Sequence, residues 1–143
     1  APGTGLLTRK VSATTEIPIT GVLRPNVFVL PAVSGTSLVA SGWPVDQSPA
    51  SRAMLPGSGF VGSNTAGNAD QFLRWAPDIA PSNHDGYLSH FFLKSGTLQY
   101  WTPLATTSVP DESNVVLFPR HQATFLRLKT AKSQWRWPMP WQP

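Results

Sequence analysis

The sequence predicts an all-β protein, a jelly-roll-like antiparallel β-sandwich with extended N- and C-terminal arms. Short apolar runs rich in β-branched and aromatic residues recur along the chain, and turn residues separate them, with 15 Pro and 11 Gly in 143 residues. Charged residues make up only 13% of the chain, which argues against a coiled coil or an ordinary helical bundle. Because 41% of the residues are hydrophobic and six are Trp, long disorder is not expected.

The chain divides into three predicted parts. Residues 1–16 are small and polar, and they predict an N-terminal arm. Residues 17–133 hold the strand-like runs and form the predicted sandwich domain. Residues 134–143 contain three Trp and three Pro, so they fit neither a helix interior nor a central strand and predict an extended C-terminal arm. No apolar run is long enough to predict a membrane-spanning helix.

Three strands are predicted in the first half of the chain. Residues 17–23 predict an edge strand, because Pro18 cannot donate a ladder hydrogen bond. Residues 26–30, with the sequence NVFVL, give the strongest strand signal there, and residues 36–40 predict another strand. Residues 41–70 are rich in Gly and Pro and predict a long loop, of the kind that is usually functional or part of an interface.

In the second half of the chain, apolar and polar residues alternate more clearly than in the first half. Residues 70–75 predict either a helical turn capped by Asp70 or a strand. Four further strands are predicted, at residues 86–93, 97–102, 115–118 and 123–130. The core is expected from the blocks at residues 26–30, 87–93, 97–102 and 125–128.

The last predicted strand has two different sides. Leu126 and Leu128 alternate with Arg127 and Lys129, which is the pattern of a half-buried strand, and Phe125 falls on the side of the two cations. The net charge is +4, and five basic residues but no acidic ones follow Val115. A basic tail with interspersed aromatic rings suits weak, sequence-independent contact with RNA or another acidic partner. The residues expected to make it are Arg127, Lys129, Lys132 and Arg136.

Two chemical functions have weak sequence support. A hydrolase would use Ser58, His84 and Asp85, but the G-x-S-x-G context is not met, and the pattern around His84 also fits a simple turn. A metal site would draw on the three His residues and Asp85, namely His84, Asp85, His90 and His121, without a helical H-x-x-x-H pair. The chain has no Cys, so disulfides and thiolate metal sites are excluded. We therefore expect no enzyme activity and no cofactor.

A carbohydrate-binding module is the alternative from another class. Trp43, Trp75 and Trp101 are possible stacking platforms for sugar rings, and in this alternative Trp43 and Trp101 are exposed. The competing interpretation places Trp75 and Trp101 in the core.

Residues 70–130 also resemble a known family. They contain FLRWAPDIAP, then GYLSHFFLKSGTLQYW, then FPRHQATFLRLKT, in that order. This resembles the capsid proteins of picornavirus-like positive-strand RNA viruses, in which a Leu-Ser-x-aromatic-Phe block precedes Ser-Gly-Ser/Thr-Leu and an aromatic strand. Leu88, Ser89, Phe91 and Phe92 occupy the first block, and the second comprises Ser95, Gly96, Thr97, Leu98 and Tyr100.

The resemblance implies a virion structural protein that self-assembles with other capsid chains into an icosahedral shell around RNA. Such a protein is located in the virion and is assembled in the host cytoplasm. The loop at residues 41–70 and the arm at residues 134–143 are then expected to contact neighbouring subunits. The aromatic residues expected in those contacts are Trp43, Trp135, Trp137 and Trp141.

Overall fold

The described part of the chain contains seven β-strands. The computed structural model describes residues 27–40, 43–75, 86–104, 108–120 and 122–139. The strands are β1 (Phe28–Ala32), β2 (Gly35–Ala40), β3 (Gln71–Trp75), β4 (Tyr87–Ser95), β5 (Leu98–Pro103), β6 (Ala123–Leu128) and β7 (Lys132–Trp137). One 3-10 turn, Ala66–Asn68, lies in the long loop. The predicted arm at residues 1–16 and the predicted strand at residues 17–23 lie outside the described residues.

The strands pair in two antiparallel sheets. One sheet has five strands in the order β2-β6-β3-β4-β5, and the other pairs β1 with β7. The pairing is nested, because the first described strand pairs with the last and the second pairs with the last but one. The all-β prediction with antiparallel sheets is confirmed. In the described part of the chain, no helix is long and apolar enough to cross a membrane.

The hairpin between β4 and β5 shows how local sequence sets the register. Ser95 pairs with Leu98, so only Gly96 and Thr97 form the turn. Gly96 has a φ of 59°. A positive φ at the first central position is required in a type II′ hairpin turn, and glycine adopts it without a steric penalty.

The core lies between the two sheets, and the long loop completes it. Phe72, Phe92 and Trp101 contribute from the five-stranded sheet. Phe60, from the loop, contacts both sheets, with its ring centroid 5.6 Å from that of Trp101 and 5.4 Å from that of Trp135. The loop is therefore part of the fold, and its buried side chains join the two layers.

The structure corrects the prediction of a C-terminal arm. Strand β7 covers residues 132–137 and pairs with β1, while residues 140–143, with Trp141, lie outside the described part. Trp135 is 3% exposed and Trp137 is 0% exposed, so these two side chains belong to the core of their own chain and not to a contact with a neighbour. The reason is the alternation QWRW, which buries both Trp side chains and leaves Gln134 and Arg136 outside.

Two other local predictions are decided by pairing. Asp70 precedes strand β3 and caps no helix, so the strand alternative for residues 70–75 is the right one. Residues 115–118 do not form a strand, because only Phe118 makes a bridge, with Gln47.

Asp70 links three segments that are distant in sequence. Its side chain is fully buried. One carboxylate oxygen accepts the backbone N–H of Val61 at 2.8 Å, and the other accepts that of Lys129 at 2.7 Å. The Lys132 ammonium lies 3.7 Å from the same carboxylate. A buried carboxylate that accepts backbone N–H groups and has a cation nearby has its charge largely compensated.

Candidate functional site

The outer face of the five-stranded sheet brings three aromatic rings together. In the ladder, Trp75 pairs with Tyr87, and Leu73 pairs with Phe125, so all four side chains point to the same face. The ring centroids of Trp75 and Tyr87 are 5.0 Å apart, and those of Tyr87 and Phe125 are 5.8 Å apart. We call Trp75, Tyr87 and Phe125 the aromatic patch.

The indole of Trp75 is both exposed and held in place. It is 40% exposed, whereas Tyr87 and Phe125 are half-buried. Gly86 lies directly against the indole, because a Cβ at this position would be 2.9 Å from ring atoms of Trp75. Gly86 also has a φ of 78°. Both the positive φ and the close approach of the indole favour glycine at this position. The edge-to-face contact with Tyr87 supports the indole from the side.

The other end of the same sheet face is covered. Phe91 and Leu93 form a small buried cluster with Ala69, next to the 3-10 turn. The side-chain amide of Gln71 donates to the carbonyl of Ala66 and fixes this turn on the sheet. The turn thus covers one end of the face and leaves the aromatic patch uncovered by it.

Positive charge borders the patch. Arg127 is exposed and lies two residues beyond Phe125 on the outer side of β6. Lys129 follows, also exposed, and its ammonium donates to the carbonyl of Gly67. None of the seven described strands contains an Asp or a Glu, although they contain Arg and Lys. The side chains of the described strands therefore carry a net positive charge.

The four basic residues predicted to contact RNA do not form one surface. Arg127 is one outward position beyond Phe125 on β6, and Lys129 lies further along, with its ammonium on the 3-10 turn. Arg136 is exposed on the outer side of β7, on the opposite face of the molecule, and donates to Gln134 at 3.3 Å. The side chain of Lys132 is only 8% exposed and is paired with Asp70, which corrects its assignment as an RNA contact. Desolvation by burial lowers the pKa of Lys132, and the charge of Asp70 opposes that shift.

The structure contradicts the expected exposure of Trp43 and Trp101 on which the carbohydrate alternative was based. Trp43 is 2% exposed and Trp101 is 0% exposed, so neither indole offers a surface to a sugar ring. The indole N–H of Trp101 donates to the carbonyl of Met54 at 2.7 Å, inside the core. The burial of Trp43 also corrects its assignment as an intersubunit contact. Trp75 is the described Trp with an exposed ring.

The residues of the hydrolase and metal hypotheses are mostly outside the described part of the chain. His84, Asp85 and His121 are not described, and Ser58 is exposed in the loop. Within the described ranges, no group of three or more His, Asp or Glu side chains is placed to hold a metal ion.

His90 is the described histidine, and it is buried. Its ring stacks on Phe72 with the centroids 4.6 Å apart, and Nε2 lies 2.9 Å from a carboxylate oxygen of Glu112. Desolvation lowers the pKa of His90 below its ordinary value, the hydrogen bond and charge of Glu112 oppose the shift, and the charge of Arg74 adds to it. A hydrogen bond with the backbone of Leu88 also opposes it. His90 is therefore neutral at pH 7 and holds the loop of Glu112 against the sheet.

This burial predicts acid sensitivity. Because the unfolded chain binds the proton of His90 more readily than the folded chain, the free energy of unfolding should fall as the pH drops below about 6.5. One such group changes the free energy by at most about 1.4 kcal/mol per pH unit. Urea unfolding of the wild type and of His90→Gln at pH 7.5, 6.5 and 5.5 measures the effect. The variant should show a shallower pH dependence, and an unchanged slope would contradict the prediction.

Arg52 is a buried cation that the sequence analysis missed. Its guanidinium lies over the rings of Phe118 and Trp137, at 4.0 and 4.8 Å from their centroids, and Nε donates to Gln47 at 3.2 Å. Among the described residues no carboxylate forms an ion pair with it. Burial lowers the pKa of Arg52 to about 9. The surrounding rings stabilise the charge in place of an anion.

Comparison with known proteins adds no relative. No protein family model, no curated protein and no solved structure matches this chain. The resemblance of residues 70–130 to capsid proteins therefore remains a prediction from the sequence.

Proposed function

We propose that this chain is a virion structural protein, a jelly-roll subunit that assembles with other capsid chains into an icosahedral shell around RNA. The nested pairing of the outermost described strands supports the jelly roll, because β1 pairs with β7 and β2 with β6, as in an antiparallel ribbon wound around a core. The inner strands β3, β4 and β5 pair consecutively. In this proposal the subunit has no catalytic site, is assembled in the host cytoplasm and is located in the virion.

The observation that most supports assembly is the apolar outer side of β1. Val27, Val29 and Val33 are 44%, 49% and 65% exposed, and Pro31 is exposed between them. On the inner side Ala32 is buried and Leu30 packs against the core. A strand that is apolar on both sides is typical of a strand that is covered on both sides. A neighbouring capsid chain is the proposed cover.

The particle mass tests the proposal directly. Light scattering and negative-stain imaging of material from its natural source should show closed particles that contain many copies of the 15.5 kDa chain. A monodisperse monomer at all concentrations would overturn the shell. This measurement does not depend on any variant.

A charged substitution on the outer side of β1 should block assembly. Val29→Asp places a charge in the centre of the proposed contact, where it would have to be desolvated, so the fraction of chain in particles should fall at least tenfold. Asn114→Asp, which adds the same charge at an exposed loop position, is the matched control and should assemble normally. Sedimentation of both variants measures the fraction. Normal assembly of Val29→Asp would remove this face from the interface.

A further inference from the structure

The aromatic patch is not explained by the packing of the subunit itself. Trp75 is 40% exposed, whereas the four other described Trp residues are buried. Its indole is held by Gly86 beneath it and by Tyr87 beside it. A large ring that is fixed in position but open on one side is a platform for another flat ring, because little side-chain entropy is lost when it is covered.

We infer that the aromatic patch, with Arg127 and Lys129 in line beyond Phe125 along β6, binds single-stranded nucleic acid. Bases stack on the exposed ring of Trp75 and on the neighbouring rings, and the backbone phosphates contact the two cations. This inference rests on the proposed function in that a shell encloses nucleic acid, and it identifies the face of the subunit that contacts it.

The geometry along β6 suits an extended strand of nucleic acid. Phe125 and Arg127 occupy consecutive outward positions of β6, and Lys129 follows directly after the strand. Outward positions in a β-strand are about 7 Å apart. A ligand lying along β6 therefore meets an aromatic ring first and then two positive charges in line. The register places Trp75 on the neighbouring strand β3, and Tyr87 on the next strand, β4, at the aromatic end of this line.

Charge distinguishes nucleic acid from a second copy of this chain as the occupant. On this face of the described sheet the outward positions contain Arg127 and no acidic residue, and Lys129 follows β6, so two copies of the face would bring like charges together. A polyanion is attracted by the same charges and releases its counterions on binding. The base faces supply the flat apolar surface that a simple phosphate lacks.

The experiment measures binding of the full chain to a fluorescein-labelled ten-nucleotide oligouridine by anisotropy. The RNA is compared with the single-stranded DNA of matching sequence and with an RNA duplex of equal length. Single strands of both kinds should bind, and the duplex should bind more weakly because its base faces are already stacked. Intrinsic fluorescence should be quenched at the same concentrations, because Trp75 is covered by a base.

Two variants and two controls assign the binding to the patch. Trp75→Ala should weaken binding about tenfold, which corresponds to about 1.4 kcal/mol, because it removes the ring on which a base stacks. Trp75→Phe keeps a ring and should retain most of the affinity. Arg127→Gln should weaken binding and lower the slope of log affinity against log salt by about 0.7. Arg136→Gln removes the same charge on the opposite face and should lower affinity less than twofold. Thermal unfolding by circular dichroism checks that each variant is folded.

The outcomes of these experiments test the nucleic-acid inference independently of the proposal that the chain forms a shell. Binding that Trp75→Ala and Arg127→Gln weaken supports the inference, even if the chain proves to be a monomer. Particles of normal mass that do not bind the oligonucleotides overturn the inference and leave the shell proposal standing. Three other results would overturn the inference. The first is an equal loss of affinity for Arg127→Gln and Arg136→Gln, and the second is equal binding of the duplex and the single strands. The third is self-association that Trp75→Ala abolishes, in a chain that binds no nucleic acid.

Discussion

Asp70→Ala should destabilise the fold by about 3–5 kcal/mol, because it removes one member of a buried ion pair and leaves the other without its partner. The variant also leaves the backbone N–H groups of Val61 and Lys129 without the carboxylate that now accepts them. Urea unfolding followed by tryptophan fluorescence measures the change. If Asp70→Ala does not fold at all, the absence of a cooperative unfolding transition also agrees with a large destabilisation.

The matched control for this prediction is another carboxylate that accepts a backbone N–H. Asp46 accepts the N–H of Arg120 at 2.8 Å, but it is exposed, and among the described residues no cation forms an ion pair with it. Asp46→Ala should therefore cost only about 1 kcal/mol. Similar losses for the two variants would show that burial and the pairing with Lys132 contribute nothing to the effect of Asp70.

Trp137→Ala should destabilise the fold by about 3–5 kcal/mol through the cavity that it opens in the core. Trp137 is fully buried, stacks edge-to-face with Trp135 at 4.8 Å and lies beside the guanidinium of Arg52. Loss of the indole therefore also removes one of the two rings that stabilise this buried cation. Urea unfolding measures the change in the free energy of unfolding.

The neighbouring residue gives the control for Trp137. Arg136 lies on the same strand, one position earlier, with its side chain in solvent. Arg136→Ala should change the free energy of unfolding by less than about 0.5 kcal/mol. If Trp137→Ala proved equally mild, the tail would be an arm after all, as its Pro-rich composition suggests.

The strands that could be predicted from the sequence are those in which apolar and polar residues alternate with a period of two. Strand β6 follows this alternation closely, with Leu126 and Leu128 inside and Arg127 outside. The same alternation is present in β7, but the Pro residues after Trp137 directed the interpretation toward an arm. The alternation of Trp135 and Trp137 with polar residues was the available signal, and Pro138 marks the end of the strand.

The candidate site was harder to predict, because its residues meet through strand register. Phe125 was expected on the side of Arg127, and it is there. Trp75 and Tyr87 join it because β3 and β4 pair at those positions, which no local pattern specifies. The burial of Lys132 depends in the same way on Asp70, a distant residue whose position follows from the complete fold.

The nested strand order also determines when the molecule can fold. Because β1 finds its partner in β7 and β2 finds its partner in β6, neither sheet can be completed until the C-terminal strands have left the ribosome. Contacts between residues so distant in sequence give a high contact order, and proteins of this kind fold in milliseconds to seconds. The hydrogen-bonding edge of β1 is therefore synthesised before β7 and stays unpaired until β7 emerges. A nascent chain with an unpaired β1 needs protection from premature association. We expect chaperone binding to the nascent chain to be greatest while β7 is still inside the exit tunnel.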